Sequence, residues 1–151
     1  MGWKPLVLVA AIVTYLYILT TEWIDLFPWN DLSRSTVEQK ISGSLVNLVP
    51  FALVAAAFVL DINWLKVLSA ALLVAWLAIH IAWWWVPYFS GASNTHLEQY
   101  SRLFARTYKF LPPRGTNPIP TAQYVVMQVL TLITLTTAIV SIIAGRSSGY
   151  T

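Results

Sequence analysis

Residues 44–86 read SLVNLVPFALVAAAFVLDINWLKVLSAALLVAWLAIHIAWWWV. Two long apolar runs, about Ser44 to Leu60 and about Trp64 to Val86, are separated only by Asp61-Ile62-Asn63. A helix crosses the hydrocarbon core of a bilayer with roughly 20 mostly apolar residues, and each run comes close to or exceeds that length. Two helices joined so tightly lie side by side and run in opposite directions. Asn63 is placed to cap the second of them. Outward from this hairpin, two more apolar stretches run from about Pro5 to Thr21 and from about Ala122 to Ala144. The reading is an all-α integral membrane protein, with four transmembrane helices in an antiparallel bundle forming a single domain over residues 1–151.

Composition supports this. Of 151 residues, 58% are apolar and 10% are charged, against about 25% charged in ordinary soluble domains. Mean hydropathy is +0.66. These values exclude a soluble globule and a disordered chain. The eight tryptophans fit the aromatic belts of membrane proteins. With no cysteine, disulfides, thiolate catalysis and zinc-thiolate or iron–sulfur sites are excluded. The net charge of +3 is spread out and gives no support to a nucleic-acid partner. Lys4 precedes the first run as in a signal peptide. That run, however, ends in Thr20-Thr21-Glu22-Trp23 instead of a small-residue cleavage site, so a retained helix is expected.

The connection from Glu22 to Gly43 holds Pro28, Asn30 and Asp31 as turn formers. Ser35 and Glu38 read as a capping box, starting the second helix near Thr36. In the connection from Pro87 to Thr121, Thr95 and Glu98 read as another. Leu97, Tyr100, Phe104, Tyr108 and Leu111 then recur at three- and four-residue steps, with Glu98, Arg102, Arg106 and Lys109 largely opposite. This predicts an amphipathic helix over about 95–111, lying in the membrane interface. Pro112, Pro113, Pro118 and Pro120 make the remainder extended and stiff.

Arg34, Lys40, Arg102, Arg106, Lys109 and Arg114 sit in the two long connections, against Lys4, Lys66 and Arg146 on the other side. The positive-inside rule makes the long connections cytoplasmic and the termini external. Arg102, Arg106, Lys109 and Arg114 either dock on anionic lipid headgroups or serve topology alone.

Each span carries one stripe of small or mildly polar side chains. These are Ala10, Thr14, Tyr17 and Thr21; Gly43, Asn47, Pro50 and Ala57; Ala71, Ala75, Ala78 and Ala82; and Met127, Thr131, Thr134, Ala138, Ser141 and Gly145. Such stripes let helices approach closely in lipid, so the bundle is expected to close on them. The alternative role of the polar ones is to line a route. Pro50 is expected to kink its helix and free a carbonyl for Asn47 or another helix.

No Asp, Glu, Lys or Arg is expected deep in a span, which leaves His80 as the ionisable residue there. It lies opposite the alanine stripe, so it is expected to face outward with Trp76, Trp83 and Trp84. Three readings compete: a neutral histidine bonded to a helix or to headgroups, a contact with another subunit or copy, and a haem or metal ligand. The Trp83-Trp84-Trp85 run is either an interfacial belt or a stacking platform for a quinone or haem. His96 is a weak metal candidate, since no second histidine stands three or four residues on. Glu22 and Asp25 end the first helix near the same membrane face and could form a carboxylate–histidine site with His96. No phosphate loop, HExxH or GxSxG motif is present.

The run AWWWVPYFSGASNTHLEQYSRLFARTYKFLPPRGTNPIP, residues 82–120, resembles small bacterial four-span membrane proteins to which no activity attaches. The resemblance implies a bacterial cytoplasmic membrane. Taken together, these features lead to a non-enzymatic membrane protein acting by association, as accessory subunit of a larger complex or as a homo-oligomer. Its partners would be lipid and protein subunits, and no cofactor is predicted. One alternative is a small transporter or channel for an apolar or uncharged substrate, with Thr131 and Thr134 on the route. The other is a haem- or quinone-linked redox protein using His80.

Overall fold

The computed structural model describes residues 2–147. They form α1 (Trp3–Trp23), α2 (Val37–Val59), α3 (Asn63–Ser90), α4 (Asn94–Leu103) and α5 (Ala122–Ser147), with no strand among the described residues. Four helices are long and apolar enough to cross a membrane: α1, α2, α3 and the Ala122–Gly145 part of α5.

α1 packs against α2 and α5, and α3 closes the other side against the same two helices. At one end Lys4 Nζ donates to the Val59 carbonyl at 3.3 Å. At the other, Glu22 of α1 meets Ser44 of α2. In lipid the hydrophobic effect does not draw helices together, so close packing and interhelical hydrogen bonds carry the association. Accordingly Val7, Ala11, Phe51, Val54, Leu73, Trp76, Met127 and Ala138 interlock in the centre. The Thr14 and Thr134 hydroxyls meet there at 3.0 Å.

The small-residue stripes of α1, α2 and α5 turn inward over most of their length, but that of α3 does not. Ala71, Ala75, Ala78 and Ala82 are exposed, and the buried face is Ser69, Ala70, Leu73, Trp76, Trp84, Pro87 and Tyr88. Large rings fill the space between helices where small residues were expected. Phe51 and Trp76 meet edge to face at 5.7 Å, an arrangement suited to the ring quadrupoles.

Helix boundaries differ from the sequence reading for local reasons. The cap of α2 is Thr36 paired with Gln39, not Ser35 with Glu38. Ser35 is already drawn into a turn, its N–H donating to the Leu32 carbonyl at 3.1 Å. α4 is capped by Ser93, whose Oγ accepts from His96 N–H, rather than by Thr95. Ile62, not Asn63, is the residue before α3, and no side chain caps it. The tight turn there is made by Asp61 at φ 59°, a left-handed conformation that Asp tolerates. Asp61 also pairs with Lys66, and that ammonium lowers its carboxyl pKa.

α3 continues through Pro87 to Ser90, past the end expected at Val86, and Gly91 at φ 89° ends it. The Tyr88 hydroxyl donating to the Pro112 carbonyl and the Asn117 amide donating to the Tyr88 carbonyl, both at 3.0 Å, fasten that last turn. α4 stops at Leu103 and does not run to residue 111. Beyond it, Lys109 Nζ turns back onto the carbonyls of Phe104, Ala105 and Thr107 at 2.8–2.9 Å. This satisfies carbonyls that a helix would otherwise have bonded.

The two long connections meet at one end of the helices. Tyr108 N–H donates to the Pro28 carbonyl at 2.6 Å, and Arg106 Nε lies 3.4 Å from Asp31 Oδ2. Asn30, 1% exposed, accepts from Leu26 N–H and donates to the Thr21 and Ile24 carbonyls. It thereby ties the first connection to the end of α1.

Candidate functional site

Under the joined connections lies a pocket of about 410 Å³. α1 contributes Ile18, Thr21 and Glu22; α2 contributes Gly43, Val46 and Asn47; α3 contributes His80; and α5 contributes Gln123, Tyr124 and Met127. Asn30, Asp31, Leu103 and Phe104 of the connections roof it, with exposed Gln39 and Ser42 at the rim.

Glu22 is the charged group in its wall. It stands in the last turn of α1 and is partly buried. Ser44 Oγ donates to Oε2 at 2.6 Å, and Asn47 Nδ2 donates to Oε1 at 3.0 Å. Ser44 also lies 2.8 Å from the Lys40 carbonyl and accepts from Trp23 Nε1 at 2.9 Å. A hydroxyl has one proton, and the shorter of the two bonds, to the carboxyl oxygen, is the stronger place for it. Gly43 makes the room: a Cβ there would lie 2.8 Å from Glu22 Oε1. The ion pairs among the described residues are Lys66–Asp61 and Arg106–Asp31, so no cation lies within 4 Å of Glu22, although Lys40 lines the same pocket.

Several expectations are corrected here. Glu22 ends the first helix as expected, but its carboxyl turns onto Ser44 and Asn47 of α2, a partnership the sequence reading did not include. Asn47 serves that carboxylate and not a carbonyl freed by buried Pro50. His80 does not face away from the other helices. Its ring lies 3.9 Å from Trp76 and 6.2 Å from Tyr124, in the pocket wall. Trp76 and Trp84 are buried. Trp84 packs on Tyr124 at 4.6 Å and on Phe104 at 5.0 Å. Only Trp83 of the expected outward set is exposed, at 45%, and it stacks with His96 at 4.4 Å. Trp85 donates to Gln128 Oε1 at 2.9 Å, so the three tryptophans point to three environments.

The Glu22, Asp25 and His96 grouping is not assembled: His96 lies on Trp83 and Asp25 is exposed outside the pocket. No cluster of three metal-ligating side chains occurs among the described residues. Thr131 and Thr134 are fully buried and bonded to the Met127 and Leu130 carbonyls, apart from the pocket that holds Glu22, and Ser141 is partly buried. Of the four basic residues read against lipid, Arg102 is exposed, Arg106 pairs with Asp31, and Lys109 caps backbone carbonyls. Arg114 lies 4.9 Å over the Phe89 ring. The Ser33 hydroxyl, then Arg106, holds the Asp31 carboxyl below its usual range, and burial lowers the pKa of Lys109.

The signal for the inward face of α3 was in the sequence. Ser69, Leu73, Trp76, His80, Trp84 and Pro87 recur at helical steps, but the competing alanine stripe obscured it. The partnership of Glu22 with Gly43, Ser44 and Asn47 has no linear signature. Comparison with family models, curated proteins and solved structures gave no match.

Proposed function

We propose that this chain is a small integral membrane protein of the carrier class, binding a small molecule in the pocket between its helices. The observation that carries this reading is the partly buried Glu22 carboxylate, held by neutral donors in the wall of a cavity of about 410 Å³. Pockets of roughly 300–1,000 Å³ with a few convergent polar groups are the usual form of small-molecule sites. Ionisable groups within spans commonly mark a substrate path. In this reading the four long helices form an antiparallel bundle in a bacterial cytoplasmic membrane. The joined connections face the cytoplasm, as their basic residues favour, and α4 rests at the interface.

The association reading loses its first motivation, because Trp76 and Trp84 fill the interior instead of an outward face. Exposed Trp83 with His96 is what still supports it. For the redox reading, His80 lies in the pocket wall with one ring face on Trp76, and no cluster of three metal-ligating side chains occurs among the described residues.

Native mass spectrometry of gently extracted protein tests the proposal. Met127→Trp puts a larger side chain into the pocket lining. Wild-type protein is expected to retain a small-molecule mass that the variant lacks. A bare chain with lipid alone in both samples overturns the proposal, and a bound foreign subunit returns the association reading.

A further inference from the structure

We infer that the pocket takes an organic cation: an amine with an apolar or aromatic body, with Glu22 as its counter-ion. The inference rests on the pocket being a binding site and goes further by naming the ligand class. An ionised carboxylate offers about four acceptor positions, and Ser44 and Asn47 occupy two. The remaining capacity belongs to an oxygen pair in the pocket wall with no Lys or Arg nitrogen within 4 Å, Lys40 being the one Lys or Arg side chain that also lines the pocket. Asp31, the other acid at the pocket, is already balanced by Arg106. A charge withdrawn from water is stabilised by pairing, and here the unfilled partner is a cation supplied from outside the chain.

The rest of the lining selects the kind of cation. A hard metal ion held by protein oxygens alone takes six or more of them, and no cluster of three metal-ligating side chains occurs among the described residues. Tyr124, Phe104 and His80 instead present rings, and Ile18, Val46 and Met127 present apolar surface. Aromatic faces attract ammonium groups, and the apolar groups suit a hydrocarbon or ring body. Gly43 leaves room for this placement, since a Cβ there would lie 2.8 Å from Glu22 Oε1 and push the carboxyl aside.

Benzylamine, benzyl alcohol and benzoate share one ring and differ in charge, so their binding to the full chain in nanodiscs tests the inference by calorimetry. Benzylamine is expected to bind wild-type protein at least tenfold more tightly than benzyl alcohol, with benzoate weakest. Glu22→Gln is expected to bring benzylamine and benzyl alcohol within about threefold of each other. Gly43→Ala, which displaces the carboxylate but keeps its charge, is expected to give a partial loss. Suppose instead that benzyl alcohol binds, is blocked by Met127→Trp, and benzylamine gains nothing from Glu22. The cation inference is then overturned while the pocket stands. If no probe distinguishes wild type from Met127→Trp, the binding-site reading fails and takes this inference with it.

Discussion

Trp84 shows how one side chain joins the helices to the connections. It is 1% exposed and touches Tyr124 of α5 and Phe104 in the pocket roof. Replacing a fully buried tryptophan by alanine removes its contacts and leaves a cavity, at a cost of about 3–5 kcal/mol. Trp84→Ala is therefore expected to lower stability by that order in chemical unfolding from micelles. Trp83→Ala, at an exposed ring, is expected to change it little. Three adjacent tryptophans are indistinguishable in composition, yet successive helix positions point about 100° apart. Which one is interior is set by the helices around them. The same holds for Glu22. A carboxylate in the last turn of a helix reads as solvated until Gly43, Ser44 and Asn47 are brought against it.

At the scale of elements, boundaries were legible to within a turn where a capping pair stood in sequence. Two overlapping pairs, Ser35/Glu38 and Thr36/Gln39, compete at the start of α2. The backbone of Ser35, committed to the turn with Leu32, decides between them. Thr36→Ala is expected to cost about 1 kcal/mol through the lost cap. Ser35→Ala is expected to stay within about 0.5 kcal/mol, as for most surface changes. Thermal unfolding of the two variants side by side checks this. The amphipathic segment shows the opposite limit. Apolar residues keep helical spacing to Leu111, but the chain leaves the helix after Leu103, and Tyr108 and Lys109 instead make backbone contacts with the connections.

For the whole molecule, the cysteine-free sequence makes topology directly measurable. The contacts between the two long connections put both on one side of the helices, with the Asp61 turn at the other end. Single replacements Ser33→Cys and Arg114→Cys are expected to react with an impermeant maleimide from the same face of a cell membrane, the cytoplasmic one. Asp61→Cys is expected to react from the opposite face. Labelling of Ser33→Cys and Arg114→Cys from different sides would contradict the joined connections.

Hydropathy adds along the chain, and crossing a bilayer demands a length of apolar sequence. The four long apolar helices, the tight hairpin and the absence of thiol chemistry therefore followed from the residues alone. Facing does not add in this way. In lipid the outer surface of a helix is as apolar as the inner one, so periodicity separates the two weakly, and α3 shows it with Ala71, Ala75, Ala78 and Ala82 outside and Trp76 and Trp84 within. The pocket belongs to the same class of fact. Its carboxylate, its glycine cradle and its rings lie on different helices and connections, and only packing brings them to one place.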